Sequence, residues 1–534
     1  MKKYFLIAII ITAAVLRFYK LGEVPPSLYW DEASLGYNAY SILKTAKDEY
    51  GNHLPTTNFP AFGDYKPPLY IYAAVPPIAI FGLGEFAIRF PSAFFGILTV
   101  FLAYKIAKEL FEDENIALLA SLFLSISPWH LQLSRGAFEA NLGLFFSSLG
   151  IYFFVKFAKS NPFFIFASAI SFLAATYTFT GQRLFVPFIL IVLFIQFREA
   201  VVKNLKFVAL AGAIALFLFW PLFKFATFTQ EGRLRFNEVT IFKDLEPIER
   251  STRYRDQDNY SFISSIINNR RIYYGQEYLK HYFDAFNPTF LFTKGDGNPR
   301  FSTQEVGGLY YLDLPLLLLG LYYLFAKNHK YKFLILGWLL VSPLGPATAR
   351  ETPHALRMVH ILPTFQLIAA FGLVSFYNAI KFKKLLVVVT AAGLALNLFY
   401  FLHMYYIHWP LNYSINWQYG YKQAIEAVKG QIDQSDHIVV TKEYGRPYIY
   451  FLLFLNYDPA KFHQTAQVER DKFYFLDVNG FDKFIFAKNL DEVDVNGKIT
   501  YVVSPNNTPK DAKVIKTIED LNGKPIFEIS QLDK

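Results

Sequence analysis

The chain has 534 residues, and its 58 Phe, 36 Tyr and 6 Trp make it 19% aromatic against 18% charged. That balance excludes a disordered or collagen-like chain and is too apolar for an ordinary soluble enzyme, so the surplus faces lipid or a very large core. Cys is absent, which excludes disulfides, zinc–thiolate sites and thiol catalysis. Charge divides the chain near Pro410: residues 411–534 carry 15 Lys/Arg and 17 Asp/Glu, whereas residues 1–410 carry 37 and 26. The tail reads as a soluble domain, and the basic excess of the apolar part orients loops against a bilayer rather than binding nucleic acid.

A hydrocarbon core about 30 Å thick is crossed by about 20 helical residues. Apolar runs between charged punctuation predict eleven spans, near 4–19, 90–108, 115–128, 141–158, 162–179, 184–197, 206–223, 309–326, 332–344, 358–378 and 385–404. The first follows Met1-Lys2-Lys3 and has no small-residue cleavage site behind it, so it reads as a retained helix rather than a signal peptide. Lys and Arg of short loops collect on the cytoplasmic side. With the N-terminus cytoplasmic, every alternate connection is basic: Lys105 and Lys108; Lys156 and Lys159; Arg198, Lys203 and Lys206; Lys327, Lys330 and Lys332; Lys381, Lys383 and Lys384. Counting the short stretch Leu69 to Leu83, with its Pro76-Pro77, as a span would invert all later loops, so it reads as interfacial or re-entrant.

Three polar regions then share the outer face: residues 20–89, residues 224–308, and the tail. The predicted domains are a membrane domain over 1–410 and an extracytoplasmic α/β domain over 411–534. The tail's strand-like runs His437-Ile438-Val439-Val440 and Lys472-Phe473-Tyr474-Phe475-Leu476 alternate with helical stretches such as Tyr421–Lys429. A loop as long as 224–308 is functional or disordered rather than a mere connector. No internal repeat is evident, which weakens an inverted-repeat transporter.

The first outer loop opens with Trp30-Asp31-Glu32. A carboxylate there can take a proton from an attacking hydroxyl or ligate a divalent cation; equally, Asp before Glu-Ala-Ser-Leu is a good helix start. Lys66, before Pro67-Pro68, either presents its ammonium to a lipid-linked phosphate or snorkels to a headgroup. Arg135 and Glu139, spaced i, i+4 on the same outer side, would share a helix face and either pair with each other or supply an acidic group and a phosphate contact. Arg183, Arg350, His354 and Arg357 are cations placed outside, against the orientation rule; a phosphate or ordinary interfacial anchoring explains them equally. Phe292-Thr293-Lys294-Gly295-Asp296-Gly297-Asn298 reads as a turn.

Taken together, Asp31-Glu32, Lys66-Pro67-Pro68-Leu69, Arg89-Phe90-Pro91-Ser92-Ala93 and the soluble domain after the last helix resemble the bacterial GT-C glycosyltransferases, specifically the protein O-mannosyltransferase and lipid A aminoarabinose-transferase group. The resemblance covers residues 1–160 best, with Gly295-Asp296-Gly297-Asn298 and His354-Ala355-Leu356-Arg357 similar to segments of bacterial members. It implies a polyprenyl-phosphate sugar donor, inverting transfer on the outer face, Asp31 as the catalytic carboxylate and Lys66 as a donor-phosphate contact. Glu139 stands where many members place an Asp. The Trp-Trp-Asp motif of oligosaccharyltransferases is absent, which argues against en bloc transfer to Asn.

The expectation is therefore a polytopic α-helical membrane protein of GT-C type in the inner membrane. It would pass one sugar from a polyprenyl-phosphate donor to a hydroxyl of a protein, lipid or envelope glycan, with membrane lipids and no nucleic acid as its surroundings. Asp31, Glu32 and Glu139 are the candidate catalytic residues. Lys66, Arg135, Arg183, His354 and Arg357 are the candidate phosphate contacts, and a divalent cation is left open. A polytopic transporter or flippase of lipid-linked sugars is the rival, and it would line a pathway with mid-span charges. An anchored cell-wall binding module would hardly need eleven helices.

Overall fold

The computed structural model describes residues 2–470 and 475–533. Its helices and strands group into two compact units, one of residues 2–16, Phe95–Ser134 and Glu139–Phe401, the other of Arg17–Phe94, Arg135–Phe138 and Leu402–Lys534. Residues 17–94 belong to the same unit as the tail from Leu402.

The first unit is helical. Among the described residues, four helices in the chain are long and apolar enough to cross a membrane: Glu85–Phe111, Glu139–Lys159, Leu205–Phe228 and the 35-residue run Lys383–Trp417. Two bent pairs, Glu114–Ile126 with Pro128–Arg135 at 55° and Ala355–Ile361 with Thr364–Ala379 at 50°, raise the number to six. The other expected spans fold as shorter apolar helices, such as Phe164–Thr178, Gln182–Gln196, Asp313–Ala326 and Lys332–Val341. A helix of about 15 residues rises only about 22 Å, less than the hydrocarbon thickness, so length supports four to six spans where eleven were expected. The helix Pro68–Phe81 is also short, at 14 residues, and runs on through Pro76 and Pro77.

Small residues set how closely these helices pack. Gly320 and Gly372 face each other across Asp313–Ala326 and Thr364–Ala379, where a Cβ on either would collide with the partner's backbone. Ser168 donates to the Gly150 carbonyl oxygen at 2.8 Å, joining Phe164–Thr178 to Glu139–Lys159. Close backbone approach through small residues and buried hydroxyls is how helices associate without a hydrophobic drive between them. Outward faces are apolar: Leu216 and Phe217 are exposed on Leu205–Phe228, a pattern that suits lipid rather than water.

The second unit combines residues 17–94 with the tail. Helix Trp30–Thr45 is followed by a hairpin of β1 (Phe59–Ala61) and β2 (Asp64–Lys66), with Ala61 opposite Asp64. The two turn residues, Phe62 and Gly63, both take positive φ, as a two-residue hairpin turn demands. The tail carries β3 (His437–Thr441), β4 (Gln467–Arg470), β5 (Leu476–Phe481), β6 (Phe484–Ala487), β7 (Lys498–Val503), β8 (Lys513–Glu519) and β9 (Pro525–Asp533). They form one sheet in the order β4-β5-β6-β3-β7-β9-β8, parallel across β6-β3-β7 and antiparallel outside it. Val439, Ile499, Tyr501 and Val503 form a buried cluster on it. The expected α/β character of the tail is therefore present. Of the strand-like run 472–476, residues 472–474 lie outside the described residues, and Leu476 opens β5.

Tyrosines tie the loop to the tail within this unit. Tyr37 donates to the Tyr457 carbonyl oxygen at 3.1 Å, the Tyr50 and Tyr448 hydroxyls are 3.0 Å apart, and Lys422 pairs with Glu85 at 2.6 Å. The first of these contacts is made by the helix that carries Asp31.

Candidate active site

Helix Trp30–Thr45 begins one residue before Asp31, so Asp31 and Glu32 lie in its first turn, where carboxylates suit the helix N-terminus. Successive helical residues point about 100° apart, and here that separates two roles. Asp31 turns toward the hairpin, where its Oδ1 accepts from Lys66 Nζ at 3.0 Å. Lys66 also reaches Asp64 Oδ2 at 3.0 Å, so one ammonium is shared by two carboxylates. Asp64 and Lys66 lie two apart on β2 and so share a face. The side chains are 24% exposed for Asp31 and 13% for Lys66, which leaves the pair reachable by water and solutes.

Glu32 turns the other way and is fully buried. Its Oε1 accepts from Arg89 Nε at 2.9 Å and from the Ala137 N–H at 2.7 Å; its Oε2 accepts from Arg89 Nη2 at 3.1 Å and from the Tyr29 N–H at 3.3 Å. Arg89 also donates to the carbonyl oxygens of Leu21, Pro25 and Ser27, and stands over the Trp417 ring at 5.7 Å. Expected among the catalytic residues, Glu32 is thus committed inside the fold. Its position is that of a group that fixes the start of the helix and, through it, Asp31.

Arg135 is likewise turned inward. It is 1% exposed and donates to the carbonyl oxygens of Arg17 at 3.1 Å and Val24 at 2.9 Å, with Nε 3.2 Å from the Tyr405 hydroxyl. The rings of Tyr405 and Tyr406 lie 5.3 and 5.1 Å from its guanidinium carbon. These contacts organise residues 17–24, a structural use where a phosphate contact was expected. The expected helix face shared by Arg135 and Glu139 is also absent: helix Pro128–Arg135 ends at Arg135, and Glu139 begins the next helix. The glycine between them breaks the periodicity.

Glu139, Arg183, His354 and Arg357 belong to the other unit. Glu139 is buried at the start of its helix. Arg183 donates to the Thr176 carbonyl oxygen at 3.4 Å. His354 stacks on Phe301 with ring centroids 4.9 Å apart, and its Nδ1 lies 3.5 Å from Asp296 Oδ2. Arg357 approaches Glu351 at 3.5 Å. The turn residue Asp296 is more than a turn residue: its carboxylate accepts from the N–H groups of Asn298 at 2.8 Å and Ala355 at 2.6 Å, fastening the long loop 224–308 to the segment 354–357. Trp129 Nε1 donates to the Ala355 carbonyl oxygen at 3.0 Å beside it.

Burial pushes the Asp296 carboxyl up to about 6, against the lowering effect of those N–H groups and of Arg357. A carboxyl raised in the folded state contributes its stability in full below the ordinary carboxylate range and loses it as pH rises through about 6. The stabilisation lost is about 3 kcal/mol at most, from a shift of about two pKa units. Amide exchange over residues 294–303, corrected for intrinsic rates, is therefore expected to be better protected at about pH 5 than at about pH 7, and Asp296→Asn to flatten that difference.

Two residues of the Asp31 site were not among the sequence candidates. Arg89 carried a signal, a cation interrupting an apolar run, and such a residue needs a buried partner. Asp64 carried none, because its pairing with Asp31 through Lys66 depends on the hairpin. Among the described residues, no group of three or more His, Cys, Asp or Glu side chains is assembled in a way that could hold a metal ion.

Residues 65–224 match the family model described as dolichyl-phosphate-mannose-protein mannosyltransferase. An uncharacterized protein of Aquifex aeolicus (strain VF5) is 27% identical over 253 residues, 46% of this chain and 48% of its own length, so the match spans about half of that relative. ArnT from Cupriavidus metallidurans in the apo state superposes with a TM-score of 0.54 at 12% identity, covering 99% of this chain and 98% of its own. The same protein bound to undecaprenyl phosphate gives 0.53 at 12%, covering 98% and 97%. The archaeal oligosaccharyltransferase AglB from Archaeoglobus fulgidus, in complex with an inhibitory peptide and a dolichol-phosphate, gives 0.51 at 15%, covering 85% of this chain and 64% of its own. The chain is thus similar in fold to ArnT and AglB, and in sequence over residues 65–224 to the dolichyl-phosphate-mannose-protein mannosyltransferase model.

Proposed function

We propose that this protein is a membrane glycosyltransferase that moves one sugar from a polyprenyl-phosphate donor to an acceptor hydroxyl on the outer face of the membrane. The observation that carries it is the partly exposed pair Asp31–Lys66 at 3.0 Å. It unites a proton acceptor with a cation, in a chain similar to ArnT, which has been seen bound to undecaprenyl phosphate, and to a mannosyltransferase family model. Asp31 takes the proton of the acceptor hydroxyl as its oxygen bonds to the anomeric carbon. The bond from that carbon to the phosphate oxygen breaks, and the electron pair leaves with polyprenyl phosphate, whose growing charge Lys66 stabilises.

An arrangement of eleven membrane-embedded segments with a cytoplasmic N-terminus, placing the first loop and the tail outside, agrees with the alternation of Lys-rich connections. Arg183, His354 and Arg357 remain candidates for further donor contacts, and Glu139 for an acceptor contact. The test is transfer of radiolabelled sugar from a polyprenyl-phosphate donor by the purified protein in detergent. Product is expected; donor movement across a vesicle membrane without product would favour the flippase instead.

A further inference from the structure

The long outer loop contains a helix turned inside out. Over Phe262–Ile267, Phe262, Ile263, Ile266 and Ile267 are exposed, at 80%, 68%, 54% and 55%, while Ser264 is buried and Ser265 faces Arg255 at 3.5 Å. Water as the only outer neighbour gives no reason for four large apolar residues to point outward while serines point in.

Arg270–Asp284, the next helix, repeats the pattern. Ile272, Leu279 and Phe283 are exposed and spaced seven and four apart, a single helical stripe. Its other side holds Tyr278 and Tyr282, whose hydroxyls donate to the carbonyl oxygens of Leu344 at 3.1 Å and Leu340 at 2.8 Å. Those carbonyls lie at and just beyond the C-terminal end of the apolar helix Lys332–Val341, whose Phe333 and Leu340 are themselves exposed. The helix is thereby held against the end of a membrane-embedded one, and its apolar stripe continues that helix's outward face.

Cations flank the apolar residues. Arg253, Arg270 and Arg271 are exposed, and Arg250 packs over the Tyr273 ring at 4.6 Å. The neighbouring acids are engaged locally: Asp258 accepts from Asn268 at 2.9 Å, and Asp256 bonds Tyr260. Exposed apolar side chains with a collar of arginine are the features of a helix lying in an anionic interface.

We propose that residues 262–283 dock on the outer leaflet, with Phe262, Ile263, Ile266, Ile267, Leu279 and Phe283 among the acyl chains and Arg270 and Arg271 on anionic phospholipid headgroups. The proposal rests on the chain being membrane-embedded and not on its being a transferase. Because the protein has no cysteine, the single variants Ile263→Cys, Ile267→Cys, Phe283→Cys and, as a control on the neighbouring helix, Gln257→Cys each place one nitroxide label on the full chain. Power saturation in vesicles of phosphatidylcholine and phosphatidylglycerol is expected to show high oxygen and low nickel-chelate accessibility at 263, 267 and 283, and the reverse at 257. High nickel accessibility at 263 and 267 would overturn the proposal. Shielding of both from oxygen and nickel alike would also overturn it, in favour of a protein partner such as a second copy. Omitting phosphatidylglycerol is expected to make the 263 label shallower, and Arg270→Gln/Arg271→Gln to abolish that lipid dependence; dependence that persists in the double variant would remove the role of the two arginines. Three buried-label positions are read independently, so one that fails to fold does not decide the outcome.

Discussion

Asp31→Asn is expected to lower transfer by about 10²- to 10⁴-fold, the contribution of a positioned general base, while leaving the thermal unfolding profile close to that of the parent. Both halves follow from geometry. The Asp31 side chain is partly exposed and its described partner is the Lys66 ammonium at 3.0 Å, so the amide removes a surface-accessible charge without emptying a core position. Lys66 keeps Asp64 at 3.0 Å and stays anchored to the hairpin. Donor affinity should change much less than turnover, because an interaction made with the attacking hydroxyl in the transition state appears in kcat rather than KM. Steady-state kinetics with a radiolabelled polyprenyl-phosphate sugar separate the two. A variant that turns over at the parent rate would take Asp31 out of the reaction and leave the carboxylate as a helix-start residue.

What the sequence made legible and what it hid divide along a physical line. Asp31 and Lys66 stand out in the sequence because each is at a punctuation point, a polar residue beside an apolar run, and the fold pairs them at 3.0 Å. The α/β tail could be read because its charge density and short apolar runs differ from those of the rest. Direction within a helix was not readable: Asp31 and Glu32 look equivalent in a string, and only the position of Arg89, 57 residues away, turns one inward and leaves the other at the surface. Arg135 and Glu139 illustrate the reverse, since their spacing suggests one face only while the helix continues, and it stops at Arg135. Apolar runs also leave the length of each helix open, and helices such as Gln182–Gln196 and Asp313–Ala326 are shorter than a bilayer's thickness, so length alone identifies four to six spans among the described residues.

Breaking the Glu32–Arg89 pair is expected to cost more stability than any other single change at this site. Both side chains are fully buried, and removal of one partner leaves the other charge uncompensated, a loss of about 3–5 kcal/mol. The two removals are not equivalent. Glu32→Gln keeps the volume and an acceptor for the Ala137 N–H, whereas Arg89→Met also strips donors from the carbonyl oxygens of Leu21, Pro25 and Ser27. Arg89→Met should therefore lower the melting temperature of the detergent-solubilised protein further than Glu32→Gln. The double variant should lose less than the two single losses added together, since each single change already removes the shared interaction. Strictly additive losses would show that the two groups act separately, and the reading of Glu32 as the residue that fixes Asp31 would fall with them. In folded Glu32→Gln protein, turnover should drop while acceptor and donor KM stay near parent values, because the start of the helix, and with it the aim of the Asp31 carboxylate, depends on the Tyr29 and Ala137 N–H groups that Glu32 holds.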